Sequence, residues 1–191
     1  NTTLVESVMA ANVGLTATEA ATKVAVAMGL PVGMNVLTYD AYADPASMTD
    51  DEKRDALAVQ QANNKIMTVV NTFAAVADGS GMSATASFDL AMGSMADVVK
   101  AKVTAGTVLS FTTDMAAIVS AVEDDLETYA AANTSLNISV TDFKAIMVEA
   151  KKAVDNVVVK IDAFDITTSD ADKAAVISTI KTVVDEVRTV A

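Results

Sequence analysis

The segment from Thr49 to Gly81, TDDEKRDALAVQQANNKIMTVVNTFAAVADGSG, constrains the fold of this chain more than any other. Leu57, Ile66, Val69, Val70, Phe73 and Val76 recur at a helical period of 3.6 residues, so one face of a long helix is apolar. Thr49 and Glu52 have the spacing of a capping box, in which each side chain satisfies the other residue's free N–H group. Asp50 and Asp51 lie where the helix dipole favours negative charge, and DGSG closes the segment. A helix over 49–77 is on the order of 40 Å long at 1.5 Å per residue, long enough for several others to pack along it.

Similar patterns flank it. Leu4, Val5, Val8 and Met9 share one face of a first helix, and Thr16 with Glu19 opens a second that Gly29 and Pro31 stop. A helix over 82–104 contains Gly93, which costs about 1 kcal/mol against Ala unless another helix approaches there or the helix bends. The stretch TAGTVLSFTTD is ambiguous, since Val108, Leu109 and Phe111 fit a short extended piece. A helix from Thr113 to Ala132 follows, with Met115, Ile118, Val119, Val122 and Leu126 inward.

Ser139 and Asp142 then cap a helix over 140–162, striped by Phe143, Ile146, Met147, Val154, Val157 and Ile161. The last helix, over 169–190, directs Val176, Ile177, Ile180, Val183, Val184 and Val187 inward. The β-branched run NVVVKI lies inside a long capped pattern and reads as helix. The expected fold is therefore an all-α, single-domain bundle of six or seven mostly antiparallel helices, with short helices and a connector over 1–48 and long helices over 49–191. Its core is rich in Ala and Val, because 52 % of the residues are hydrophobic while Trp is absent.

The chain has neither Cys nor His, which excludes thiolate catalysis, Cys-ligated zinc and triads built on histidine. A net charge of −12 opposes nucleic-acid binding, where Lys and Arg must neutralise phosphates. The apolar segments are broken well short of the roughly 18 residues needed to span a bilayer, so no membrane insertion is expected. The start has no initiator Met and enters helical periodicity at once, which reads as a piece cut from a longer protein.

Two loops are candidate sites. Tyr39, Asp40, Tyr42 and Asp44 form an acidic, aromatic connector that suits a small ligand loop or calcium. Two carboxylates supply few of the six to eight oxygens calcium takes, which favours Tyr39 packing on the core and Asp44 or Ser47 beginning the next turn. Asp162, Asp165, Asp170 and Asp172 are the better calcium candidate. They lack the central Gly and closing Glu of an EF-hand loop, and capping by Ser169 and Asp170 accounts for most of them. No other cofactor is expected. Glu123, Asp124, Asp125 and Glu127 diverge around a helix and read as a solvated acidic face rather than an acid/base pair. The ten Met residues read as gap-filling core, the alternative being an adaptable groove for an apolar ligand.

The first 45 residues resemble a recurring helical module of very large bacterial surface proteins, the repeat-bearing adhesins and calcium-dependent type I-secreted proteins. Those modules read as a PLTTLV start, a capped helix with EA, an LGLP stop and an L…YDP ending. The matching residues here are Thr2 to Val5, Glu19, Ala20, Met28 to Pro31, Leu37, Tyr39 and Asp40. Asp40 is followed by Ala41 where Pro is usual, and no residues precede Asn1 to match PL. The resemblance implies a non-enzymatic spacer or interaction module, extracellular or on the cell surface, whose partners are other domains of the same protein or a surface partner. A helical domain enclosing a small ligand or apolar peptide is the alternative. An enzyme using only Asp or Glu is a third reading, and no pair of carboxylates shows a reason for unequal pKa values.

Overall fold

The 30-residue helix at the centre of the sequence is also the centre of the molecule. A computed structural model of the chain describes residues 2–41 and 43–190, with the side chains of all these except 45 and 186–190. It contains α1 (Thr2–Ala11), α2 (Ala17–Ala27), α3 (Asp50–Gly79), α4 (Ala84–Ala105), α5 (Met115–Ala132), α6 (Val140–Asp162) and α7 (Asp170–Val190). Two 3-10 turns, Pro45–Ser47 and Thr134–Leu136, precede α3 and α6. There is no strand among the described residues, so the chain is an all-α bundle as its periodicity implies.

α3 packs against α4, α6 and α7, while α1 and α2 lie against each other and against α4. All six apolar residues of the α3 stripe are buried, and from Thr68 to Ala77 burial extends almost all round the helix. Its start is the expected capping box: the Glu52 N–H donates to Thr49 Oγ1 at 3.3 Å, and the Thr49 N–H donates to Glu52 Oε2 at 2.7 Å. Its end is a Schellman turn, in which the Met82 N–H reaches the Ala77 carbonyl and the Gly81 N–H the Asp78 carbonyl.

One continuous cluster of buried side chains links α1 through α6. Met82, Met95, Met115 and Met147 are inside it, filling gaps between Ala and Val as expected. The hydroxyls of Thr72 and Ser87, on α3 and α4, are also buried and have no hydrogen-bond partner among the described residues.

Three local expectations change. At Gly93 a Cβ would meet nothing within 4 Å, and α4 runs unbroken through it; the glycine faces a groove rather than an approaching helix. The 107–114 stretch is irregular rather than extended: the Leu109 N–H donates to the Ala27 carbonyl at 2.6 Å, and Leu109 and Phe111 are buried. α5 begins at Met115, two residues later than expected: the Thr113 and Asp114 N–H groups close a turn onto the Ser110 carbonyl, and Asp114 stands at the helix start without capping it through its carboxylate. That carboxylate instead accepts the Ser110 N–H at 2.8 Å and the Lys102 ammonium at 2.7 Å.

α7 lies on the outside of α3 and α6. Its stripe is only half-buried at Val176, Ile180, Val183 and Val184, and Ile177 is 44 % exposed, against the inward position its spacing suggests. Val187 falls among the undescribed side chains.

Candidate functional site

The connector between α2 and α3 begins with a second Schellman turn. The Leu30 N–H bonds to the Ala25 carbonyl at 2.9 Å and the Gly29 N–H to the Val26 carbonyl at 3.0 Å. Gly29 is required twice over: its φ is +72°, and a Cβ there would come within 3.1 Å of Val108 Cγ1. Leu30 then buries itself in the core, so the MGLP stop both ends α2 and anchors the start of the connector.

Asn35 turns the chain again by accepting the Leu37 N–H on its side chain and the Tyr39 N–H on its carbonyl. Tyr39 packs half-buried on the core, with its hydroxyl 3.4 Å from the Glu52 carbonyl. Burial, together with Asp55 and Glu52, pushes the Tyr39 phenol above its ordinary pKa. Gln60 holds the Ala41 carbonyl at 2.6 Å. Asp44 forms a local turn, accepting the Ala46 N–H at 2.9 Å, and leads into the 3-10 turn at Pro45–Ser47. Asp40 is exposed, and Tyr42 lies outside the described residues.

The four aspartates of the second loop are each engaged separately. Asp162 pairs with Lys65 at 2.6 Å, and Asp170 lies 3.6 Å from Lys173. Asp165 accepts the Thr167 hydroxyl at 2.6 Å and its N–H at 2.7 Å, which holds the carboxyl below its usual range. Asp172 and Ser169 cap the start of α7, the Asp172 N–H donating to Ser169 Oγ at 3.1 Å and the hydroxyl returning to Asp172 Oδ2 at 2.6 Å. Among the described residues no three acidic side chains converge as a cation would require.

The structure brings the two candidate loops to one place. They flank a groove of about 560 Å³ over the first turns of α3, with Ala41, Ala43 and Met48 on one side and Ile166, Thr168 and Lys173 on the other. Further grooves lie elsewhere, among them one of about 450 Å³ where α3, α4 and α7 meet and one of about 570 Å³ between α4 and α5. Met67, Phe88, Ile177 and Ile180 line the first of these.

The acidic face of α5 divides as its spacing suggests. Asp125 accepts the buried Ser94 hydroxyl at 2.6 Å, whereas Glu127 pairs with Lys144 and raises the ammonium's pKa.

Several residues that organise these loops carry no clear signal in the sequence. The Lys65 ammonium lies 5.5 Å from the centre of the Phe111 ring while it holds Asp162. Gln61 Nε2 donates to the carbonyls of Ile161 and Phe164, satisfying the end of α6. Both residues look like ordinary polar positions of α3, and only the long-range packing gives them partners. No helix among the described residues is long and apolar enough to cross a membrane. No family model, curated protein or solved structure matches the chain.

Proposed function

We propose that this chain is a non-catalytic helical module of a bacterial extracellular or cell-surface protein, serving as a spacer or interaction domain in adhesion or surface assembly. What carries this reading is the use made of the residues that resemble surface-protein modules. Glu19 completes the capping box of α2, with the Thr16 N–H 2.8 Å from its Oε2. Gly29 and Leu30 form the helix stop, and Tyr39 seats the connector on α3. Each of these matching positions thus has a folding task. The partners are other domains of the same protein or a separate surface protein. Antibodies raised against the chain label intact cells of its source; labelling that appears only after lysis rejects the surface assignment.

A second reading, a helical domain that takes an apolar ligand, is favoured by the apolar lining of the groove where α3, α4 and α7 meet. A solvatochromic fatty-acid probe tests it: saturable binding lost in Ile180→Lys supports this use, and no saturable binding rejects it.

A further inference from the structure

We propose that the groove between α4 and α5 is a docking surface for a basic amphipathic helix of a partner protein. The inference rests on the interaction-module reading and gives that partner a chemistry. Ala86, Leu90 and Gly93 of α4 and Tyr129 and Ala132 of α5 line the groove. From Ala86 to Asp97 it spans twelve residues of α4, about 16 Å from first to last or three turns at 1.5 Å per residue. Two helices lying side by side with small apolar residues between them leave a seam that a third helix fills, its side chains entering where the floor is lowest. Gly93 lowers the floor locally, because it carries no side chain and open space surrounds the place its Cβ would take.

Charge selects the occupant. Asp89 and Asp97 stand on the α4 wall and Asp125 on the α5 wall. Ser94 holds the Asp125 carboxylate in place at 2.6 Å. Between residues 84 and 133 the cations are Lys100, which pairs with Asp97, and Lys102, which is committed to Asp114. Asp89, Asp97 and Asp125 are the charged side chains of the groove lining, which holds no Lys or Arg among the described residues, whereas Glu123, Asp124 and Glu127 interact with Lys144 of α6. A second copy would bring the same negative face against itself, in a chain of net charge −12, and is repelled. A helix with Lys or Arg flanking a ridge of Ala is attracted to the walls and fits the floor.

The test uses the full chain and a fluorescein-labelled synthetic helix with a Lys-flanked Ala ridge, beside its Gln-for-Lys counterpart. Anisotropy gives affinity, and amide chemical shifts give the location. The Lys helix binds at least about tenfold more tightly than the Gln helix at low salt, and the difference shrinks as salt screens the charges. Asp89→Asn with Asp125→Asn weakens binding about fivefold, the scale of two partly exposed charge pairs. Gly93→Leu, a substitution that favours helix, leaves the circular dichroism unchanged and weakens binding about tenfold by filling the notch. Binding unaffected by Gly93→Leu, shifts confined to α3 and α7, or no binding by wild type overturns the groove assignment. Self-association abolished by Gly93→Leu in sedimentation equilibrium overturns the choice of occupant. Failure of the groove alongside positive labelling of intact cells rejects this inference alone, whereas the surface reading fails only with the labelling.

Discussion

α6 and α7 have nearly the same sequence grammar, and the fold uses them differently. Each opens with Ser at the cap and Asp three residues later, and each carries a helical stripe of aliphatic residues. In α6 most of the stripe is driven fully inside: Phe143, Met147, Val154, Val157 and Ile161 are at most 1 % exposed, and Ile146 is half-buried at its edge. In α7 no described side chain is completely buried. The difference is one of neighbours, since α6 is flanked by α3, α5 and α7 while α7 lies mainly against α3 and α6. Periodicity determines which face turns inward; the number of helices on that side determines how deep it goes.

The largest effect that probes this contrast is truncation of an aromatic side chain. Phe143→Ala removes a side chain with no exposed surface and costs about 3–5 kcal/mol in urea unfolding, whereas Ile177→Ala in α7 costs about 1 kcal/mol or less. Equal costs would break the distinction between the packed helices and the outer one.

Glycine sharpens the same contrast between packed and open positions. Gly29→Ala forces a Cβ into left-handed backbone and against Val108, and lowers stability by about 1–2 kcal/mol. Gly93→Ala, exposed and inside α4, raises it by roughly 0.5–1 kcal/mol. Thermal melts of the two variants should therefore move in opposite directions.

Protonation acts on enclosed and exposed carboxylates in the same direction. Burial by itself raises the Asp114 pKa, but the Lys102 ammonium and the Ser110 N–H outweigh it and hold the carboxyl below its ordinary value. A carboxyl depressed in the folded chain contributes its stability in full above the unfolded pKa of about 3.9, and that contribution is lost as pH falls through the lower folded value. Asp114→Asn costs about 1–2 kcal/mol at neutral pH, by leaving Lys102 without its charged partner, and flattens the acid limb of the stability curve. Glu19, Glu52 and Asp165 are depressed too, through hydrogen bonds at exposed turns, and add to the same acid limb.

The smallest expected effect concerns calcium. With Asp162 in an ion pair, Asp165 in a turn, Asp172 at a cap and Asp170 exposed, so that no three of them converge, millimolar calcium leaves the melting temperature where sodium chloride of equal ionic strength leaves it. A rise abolished by Asp165→Asn with Asp170→Asn would show that the loop rearranges around the ion.

Elements and their caps were legible because they are local. Thr16 with Glu19, Thr49 with Glu52, and Gly29 before Pro31 announce helix ends within four residues of themselves. The late start of α5 was not legible, since it depends on the turn that the Thr113 and Asp114 N–H groups close onto Ser110 while Lys102, twelve residues earlier, claims the Asp114 carboxylate. Nor was the meeting of the two candidate loops over α3, which depends on where α6 ends against Gln61 and Lys65. For Gly93 the sequence offered a close approach or a bend, and the observed open seam depends on how α5 lies beside α4.

Native-state hydrogen exchange, resolved by mass spectrometry to individual helices, tests most directly whether depth rather than periodicity separates these two segments. Amides of α6 between Phe143 and Ile161 exchange only on global unfolding and at least about tenfold more slowly than those of α7 between Lys173 and Asp185, which open locally. Protection of α7 equal to that of α6 would contradict an outer helix held by a half-buried stripe.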